Sequence, residues 1–206
     1  MCLWKQGCLN LSRIIFGWRG TLVVGVLLVL LVGCTKTVTW TEEVRLSNGK
    51  TIAVKRETRF RPGGAEWPRG DGWKPQRYVI HFNYPISSEH VIEWQSTKTD
   101  AERGTDPEFP LLLDVTTADE APFIITLRGL RGSCFEYVRY VLHDGTWSED
   151  PLPAEFEARD ANLYLSAGTV DVPKQVSLGF KQKDSTDIRY RKCSKKIGPK
   201  QTDCRA

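Results

Sequence analysis

Catalytic signatures are scarce in this chain of 206 residues. The sequence has three histidines, His81, His90 and His143, and their spacing does not place two metal ligands on one face of a helix or strand. It also lacks a Gly-x-Ser-x-Gly elbow, a Walker A loop and a dinucleotide-binding fingerprint. The neighbouring carboxylates Glu42 and Glu43 would alternate faces in a strand, and we expect both to be solvated. We therefore expect no metal site, no cofactor and no enzyme activity.

A large net charge is absent as well. The formal charge of +4 is too small to indicate a nucleic-acid binder, and 26% charged residues argue against a polytopic membrane protein. The charge is divided unevenly: residues 1–34 carry three basic residues and no acid, 35–180 carry 17 basic and 22 acidic, and 181–206 carry nine basic and three acidic. An acidic body thus lies between a cationic leader and a basic tail that could meet anionic phosphates.

The apolar part of the leader is short. It lies within the 16 uncharged residues between Arg19 and Lys36. As a helix these would span about 24 Å at about 1.5 Å per residue, less than the roughly 30 Å of a bilayer core. A cationic stretch followed by a short apolar run and small residues is typical of a secretory signal. We therefore predict that residues 1–33 are a signal peptide, with an uncleaved signal anchor as the alternative.

The leader ends in Leu31-Val32-Gly33-Cys34. This motif resembles the lipobox of bacterial lipoprotein signal peptides. The resemblance implies cleavage between Gly33 and Cys34, a thioether-linked lipid on the nucleophilic thiol of Cys34, and acylation of the new amino group. Within that family an Asp after the lipid-bearing Cys favours the inner membrane. Thr35 at this position therefore implies a periplasm-facing protein anchored to the outer membrane.

Period-two patterning marks the start of the mature body. Val38, Trp40, Val44 and Leu46 share one face, and Asn48-Gly49 follows as a hairpin signal. A three-residue loop, Ser47-Asn48-Gly49, would pair Val44 with Ile52 and Leu46 with Lys50, which keeps the apolar sides together. We predict this register, with Gly49 in the left-handed conformation. The hairpin looks like those of uncharacterised proteobacterial envelope lipoproteins, a resemblance that carries no activity.

Further short strands are predicted along the chain, and Asp144-Gly145 is expected to form a second hairpin turn. Their total of about eight to ten indicates an all-β, single-domain antiparallel β-sandwich or barrel over residues 34–180. The one helix candidate is Ala154–Ala161. The additional strands are expected at Tyr78–Tyr84, Val91–Trp94, Leu111–Val115, Phe123–Leu127, Phe135–Leu142, from Thr146, Leu163–Leu165 and Val176–Phe180.

Two long loops are expected, at Arg61–Gln76 and Gln95–Glu108. The first contains four glycines, three prolines and two tryptophans, Trp67 and Trp73. Long loops without secondary structure are usually functional or disordered. These tryptophans are candidate contact residues for a sugar ring or a partner's side chain. The alternative is an Ω-loop in which they fold back and cap the core.

Three cysteines would remain with the mature body besides Cys34. A periplasmic location favours disulfides. We predict a Cys193–Cys204 pair that closes the basic tail, residues 181–206, and would stabilise it by roughly 2–3 kcal/mol. The alternative is a Cys134–Cys193 bond that ties the tail to the sheet.

Three functional hypotheses follow. The first is a lipid-anchored, non-enzymatic envelope domain that binds or scaffolds an envelope protein or glycan. The second is a periplasmic inhibitor or immunity lipoprotein acting against a toxin or a lysozyme-like enzyme. The third is an envelope hydrolase using scattered Asp and Glu. Nucleic acid is not expected as a partner, because the predicted compartment contains little of it.

Overall fold

The computed structural model describes residues 35–63, 72–96, 107–129, 135–164, 171–184 and 196–198. All of these residues belong to one unit, Cys34–Ala206. Within the described ranges nine strands form two sheets that pack against each other. The predicted all-β sandwich is confirmed, and the sheets do not close into a barrel.

The first sheet has the strand order β4-β3-β2-β1-β9. Neighbouring strands are antiparallel, except that β9 runs parallel to β1. The strands are β1 Lys36–Arg45, β2 Thr51–Pro62, β3 Trp73–Asn83, β4 Val91–Gln95 and β9 Gln175–Val176.

The second sheet has the order β5-β6-β7-β8 and is antiparallel throughout. Its strands are β5 Phe109–Val115, β6 Pro122–Gly129, β7 Phe135–His143 and β8 Thr146–Asp150. The positions predicted for these four strands are confirmed.

The register predicted for the first hairpin is confirmed. Val44 pairs with Ile52, and the Leu46 amide donates to the Lys50 carbonyl at 2.9 Å. Gly49 has φ +83°, the left-handed conformation that a side chain disfavours. The apolar face of β1 therefore lies on the same side as that of β2, which is the reason this register is preferred.

The Asp144-Gly145 turn is confirmed as well. His143 pairs with Thr146, so the loop has two residues, and both have positive φ, +48° and +77°. That combination is a type I′ turn, whose twist matches the twist of the flanking strands.

The second sheet is covered on both faces. Leu113 and Ile124 face the first sheet, whereas Leu112 and Ile125 pack on the other side under a 3-10 turn at Ala154–Phe156. Burial on two faces explains why the β5 and β6 sequences are unbroken apolar runs instead of alternating ones.

Two expectations near residue 160 are wrong. The helix candidate Ala154–Ala161 forms only the 3-10 turn, which follows Pro151 and Pro153. Leu163 is not part of a strand, and Leu165 lies outside the described residues. The Asn162 side chain exchanges hydrogen bonds with the backbone of Leu113 at 2.7 and 2.9 Å, so this segment covers the β5 edge without a ladder.

The prediction of a strand at Val176–Phe180 is correct for Val176 and wrong for the residues after it. A short helix, α1, runs from Leu178 to Asp184. Ser177 begins it, because its hydroxyl accepts a hydrogen bond from the Phe180 amide at 3.1 Å. The helix continues past residue 180, so Lys181, at the start of the predicted tail, packs against the body. Within the described ranges, no helix is long and apolar enough to cross a membrane.

Candidate functional site

Strand direction gives the sandwich two different ends. Ser47, just after β1, donates through its amide to Asp114, near the end of β5, at 2.8 Å, so β1 and β5 run toward the same end. We call this the turn end, because four short connections close it: 46–50, 84–90, 116–121 and 144–145. The opposite end, called the loop end, is where β1, β3, β5 and β7 begin and where β2, β4, β6 and β8 end.

The predicted first loop is shorter than expected. Its flanks are strand, since β2 extends to Pro62 and β3 begins at Trp73. The Gly63 amide donates to the Gly72 carbonyl at 2.6 Å, which closes the base of the connection. Trp73 is therefore a half-buried strand residue at the loop end, and Trp67 lies outside the described residues.

Four basic side chains crowd the loop end of the first sheet. Arg59 pairs across the strands with Arg77, and Arg61 pairs with Lys74. Both pairs lie on the face of the sheet that points away from the core, because they alternate with the buried Thr58 and Phe60. We call these four residues the basic rim. Like charges directly opposite each other on a sheet are destabilising, so this arrangement costs stability.

Two arginines of the basic rim contact side chains of neighbouring strands. Arg59 forms an ion pair with Glu57 at 2.7 Å, and Arg77 donates to the neutral Gln95 amide at 3.3 Å. Arg59, Arg61 and Arg77 are exposed. These three arginines therefore lie at the surface of the first sheet.

The loop end of the second sheet has the opposite character. Arg128, on β6, contacts three carboxylates: Glu108 at 2.5 Å, Glu149 at 2.9 Å and Glu136 at 3.3 Å. The Tyr140 hydroxyl accepts from Arg128 at 3.0 Å and donates to Glu108 at 2.6 Å. We call these five residues the Arg128 cluster. Its three carboxylates exceed its one cation.

Protonation in the Arg128 cluster is fixed by these contacts. Burial raises the pKa of the Tyr140 hydroxyl, and the hydrogen bond and charge of Glu108 raise it further. Burial lowers the pKa of the Arg128 guanidinium, but the hydrogen bond and charge of Glu108 outweigh it and the net pKa is raised. Tyr140 is therefore a neutral donor and Arg128 a permanent cation around pH 7.

A second charged group lies inside the sandwich. Glu42 is 1% exposed, accepts from Arg56 at 2.6 Å through one oxygen and pairs with Lys181 at 2.6 Å through the other. The Tyr164 amide also donates to it at 2.7 Å. Burial lowers the pKa of Lys181, and the charge of Glu42 opposes that shift. The expectation that Glu42 is solvated is wrong.

The sequence contained a signal for this buried group. Glu42 occupies an inward position of the same alternation as Trp40 and Val44, and Arg56 does so beside Val54. Opposite charges at inward positions of paired strands predict a buried ion pair. The Arg128 cluster gave no such signal, because its members are distant in sequence.

Some buried side-chain nitrogen and oxygen atoms around the Glu42–Arg56 pair have no hydrogen-bond partner in the part of the chain that the structure describes. They include Nε and Nη2 of Arg56, Oγ1 of Thr58 and Nε1 of Trp40. The Arg56 guanidinium lies over the Trp40 ring at 5.2 Å, which offsets part of the cost of burying its charge.

The histidines do not come together. His81 faces outward beside Glu93 at 3.5 Å, His90 precedes β4, and His143 ends β7 at the turn. No group of His, Cys, Asp and Glu within the described ranges has the arrangement of a metal site.

The remaining predicted site residues cannot be placed. Gly33, Cys34, Cys134, Cys193 and Cys204 all lie outside the described residues. Lipidation of Cys34 and both disulfide alternatives therefore stay predictions.

Comparison with known proteins gave no match to a protein-family model, to a curated protein or to a solved structure.

Proposed function

We propose that this chain is a periplasmic lipoprotein, anchored to the outer membrane through a lipid on Cys34, with a non-enzymatic binding or scaffolding role. The lipobox motif supports the anchor. The observation that carries the proposal is the position of β1, which begins at Lys36, two residues after Cys34. A lipid at Cys34 would therefore hold the sandwich directly at the bilayer, without a flexible linker.

This attachment would place the two ends of the sandwich differently. The loop end, where β1 starts, would face the membrane. β1 has ten residues and rises about 3.3 Å per residue, so the turn end would stand roughly 30 Å away from the bilayer surface. A partner in the periplasm would then meet the turn end or the sides of the sheets.

The turn end carries apolar surface suited to such a partner. Ile86 and Val91 are 55% and 52% exposed, the large apolar side chains most open to solvent in the described part of the chain. Ile86 lies in the β3–β4 connection, and Val91 is the first residue of β4. We propose them as contact residues for an envelope protein.

The contacts of the Arg128 cluster suit a structural group of the second sheet. A general acid or base works best with a pKa near the working pH. The raised pKa of Tyr140 keeps its hydroxyl protonated at neutral pH, as a donor to Glu108. Its carboxylates share one guanidinium, an arrangement suited to holding β6, β7 and β8 together.

Metabolic labelling with a fatty-acid analogue tests the anchor. We expect the wild-type chain to be labelled and Cys34→Ala to be unlabelled, because the thioether needs the Cys34 thiol. Cys8→Ala is the matched control and should retain the label, since Cys8 lies in the leader. Label on Cys34→Ala would refute the lipid anchor.

Crosslinking of intact envelopes tests the binding role. We expect wild type to capture a reproducible envelope protein and Ile86→Ser/Val91→Ser to capture less of it. Thr41→Ser, also on an exposed position of the first sheet, is the matched control. Equal capture by all three chains would remove Ile86 and Val91 from the proposal, and no reproducible partner would count against a binding role.

A further inference from the structure

Three buried side chains lie together on the inner face of the first sheet. Trp40 pairs across the strands with Arg56, and Thr58 is the next inward residue of β2. Nε and Nη2 of Arg56, Nε1 of Trp40 and Oγ1 of Thr58 have no hydrogen-bond partner in the described part of the chain. We propose that these atoms bind the carboxylate group of a small organic acid. The inference is independent of the lipid anchor at Cys34.

The twist of the sandwich leaves this group beyond the edge of the second sheet, where β5 is the edge strand. Toward the turn end, Ser47 after β1 hydrogen-bonds Asp114 of β5. Toward the loop end, the ring of Phe109, at the start of β5, lies 5.2 Å from the ring of Tyr78 on β3. β5 therefore crosses from β1 to β3, two strand spacings or about 10 Å. Trp40 accordingly belongs to neither of the two apolar clusters of the described residues.

The Arg56 guanidinium offers a hydrogen-bonding edge that suits a carboxylate. Its Nη1 donates to Glu42 at 2.6 Å, and its Cζ lies over the Trp40 ring, 5.2 Å from the centroid. Nε and Nη2 form one edge of the planar group, with two parallel N–H bonds. A carboxylate accepts both at once through its two oxygens, which a halide cannot do. The Trp40 indole N–H and the Thr58 hydroxyl are further donors on the same face.

The charge of the buried group also favours an anion. Glu42 pairs with both Arg56 and Lys181, and the neighbouring Glu43 lies exposed on the other face. Lys181 also donates to the carbonyls of Glu43 and Asn162, so its three N–H groups have acceptors, as an ammonium requires. Two cations therefore share one carboxylate among these described residues. A buried charge without a counterion is costly, and a bound carboxylate would supply the second negative charge.

The test uses the full chain, extracted from membranes in detergent, with isotopic labelling of arginine and tryptophan nitrogen. Sodium acetate is the probe, and sodium chloride at equal ionic strength is the comparison. The NMR cross-peaks of Arg56 Nε–H and Trp40 Nε1–H report on the site. The Trp147 indole N–H, which donates to the Glu93 carbonyl at 2.7 Å, is the internal control.

Two variants separate binding from folding. Arg56→Lys keeps a cation beside Glu42 but lacks the edge with two parallel N–H bonds. Thr58→Val keeps the shape of the side chain and removes the hydroxyl. Thr39→Val, at the exposed neighbour of Trp40, is the matched control. Near-ultraviolet circular dichroism confirms that all three variants are folded.

We expect acetate to shift the Arg56 and Trp40 cross-peaks together, with one saturating midpoint, and to leave Trp147 unchanged. Chloride at the same concentration should shift them less. Thr58→Val should weaken acetate binding several-fold, because one hydrogen bond is lost. Arg56→Lys should abolish the acetate-dependent shift of Trp40, and Thr39→Val should bind acetate like wild type.

Three results would overturn the proposal. Cross-peaks that acetate leaves unchanged in the folded wild type would show that these donors do not take a carboxylate. Equal shifts with acetate and chloride would remove the preference for a carboxylate. An unchanged midpoint of the Trp40 shift in Arg56→Lys would place the acetate elsewhere. None of these results bears on the lipid anchor, which fatty-acid labelling tests separately.

Discussion

At the turn end the buried carboxylate Asp114 is matched by its own donors, whereas at the loop end cations lie opposite each other on the first sheet and carboxylates outnumber the cation in the Arg128 cluster of the second. Asp114 is fully buried and accepts through one oxygen from the amides of Ser47 and Val115, both at 2.8 Å, while Arg159 pairs with its other oxygen. At the loop end the basic rim faces outward and the Arg128 cluster has three carboxylates for one guanidinium.

The charged groups at the two ends therefore contribute differently to the stability of the fold. Matched donors and acceptors at the turn end hold the β1–β2 turn against β5 and thereby join the sheets. At the loop end the Arg128 cluster joins strands of the second sheet, whereas the Arg59–Arg77 pair of the basic rim places like charges opposite each other and opposes folding. Changes at the two ends should therefore have different consequences.

The largest loss of stability is expected for Asp114→Ala. The change leaves the amides of Ser47 and Val115 without their acceptor and leaves Arg159 without its partner. Each buried orphaned donor costs about 1–3 kcal/mol, so we expect a loss of roughly 3–5 kcal/mol in the free energy of unfolding. Chemical denaturation followed by circular dichroism measures it.

Two further variants are expected to lose less unfolding free energy than Asp114→Ala. Asp114→Asn keeps an oxygen for the two amides but replaces the oxygen that Arg159 uses by an NH2 donor, so it loses the ion pair alone and its loss should be smaller than that of Asp114→Ala. Asp144→Asn, in the β7–β8 turn, should have little effect because Asn also tolerates positive φ. Equal stability of Asp114→Ala and wild type would contradict the role of the turn end.

A smaller loss is expected for Tyr140→Phe in the Arg128 cluster. The variant removes the hydroxyl shared by Glu108 and Arg128, which costs about 1–3 kcal/mol. Because the folded pKa of Tyr140 is raised above its ordinary value of 10.0, its contribution is present below pH 10 and is lost as the pH rises beyond it. Wild type should therefore lose stability more steeply above pH 10 than Tyr140→Phe. Parallel stability curves for the two chains would contradict the raised pKa.

The smallest effect is expected at the exposed surface of the turn end. Glu120 accepts from Tyr84 at 2.7 Å and from Lys50 at 3.2 Å, and these hydrogen bonds lower its pKa from the ordinary 4.5. Its contribution is therefore present above pH 4.5 and is lost as the pH falls through the folded pKa. Glu120→Gln should flatten the acid limb of the stability curve slightly. An unchanged acid limb would show that this exposed contact contributes nothing measurable.

Much of the fold follows from period-two patterns and turn residues. Two turns follow from residues that tolerate positive φ, Asn48-Gly49 and Asp144-Gly145. The register of β1 and β2 follows from the requirement that the apolar side chains of both strands lie on one face. The helix at Leu178–Asp184 was missed because its apolar residues also suit a strand, and Ser177 was not recognised as its cap. The strand predicted at Leu163 does not form because only one backbone hydrogen bond, from Leu163 to Leu111 at 3.1 Å, joins this segment to β5, and the Asn162 side chain makes the neighbouring bonds.

The charged groups were harder to predict for two separate reasons. The alternation of β1 places Glu42 at an inward position, but the adjacent carboxylate of Glu43 suggested that both residues are solvated. The Arg128 cluster assembles Glu108 and Glu149 from positions 41 residues apart, and only the successive pairings of β5 with β6, β6 with β7 and β7 with β8 bring them together. The basic rim likewise depends on the register between β2 and β3, which the sequence does not specify.

The central claim is that a lipid on Cys34 holds the loop end at the bilayer. Intact-mass and peptide mass spectrometry of the chain purified from envelopes tests it most directly. The account predicts a mature chain that begins at Cys34 and carries a diacylglyceryl group on its sulfur and an acyl group on its amine. A chain that retains residues 1–33, or begins at an unmodified Cys34, would contradict it.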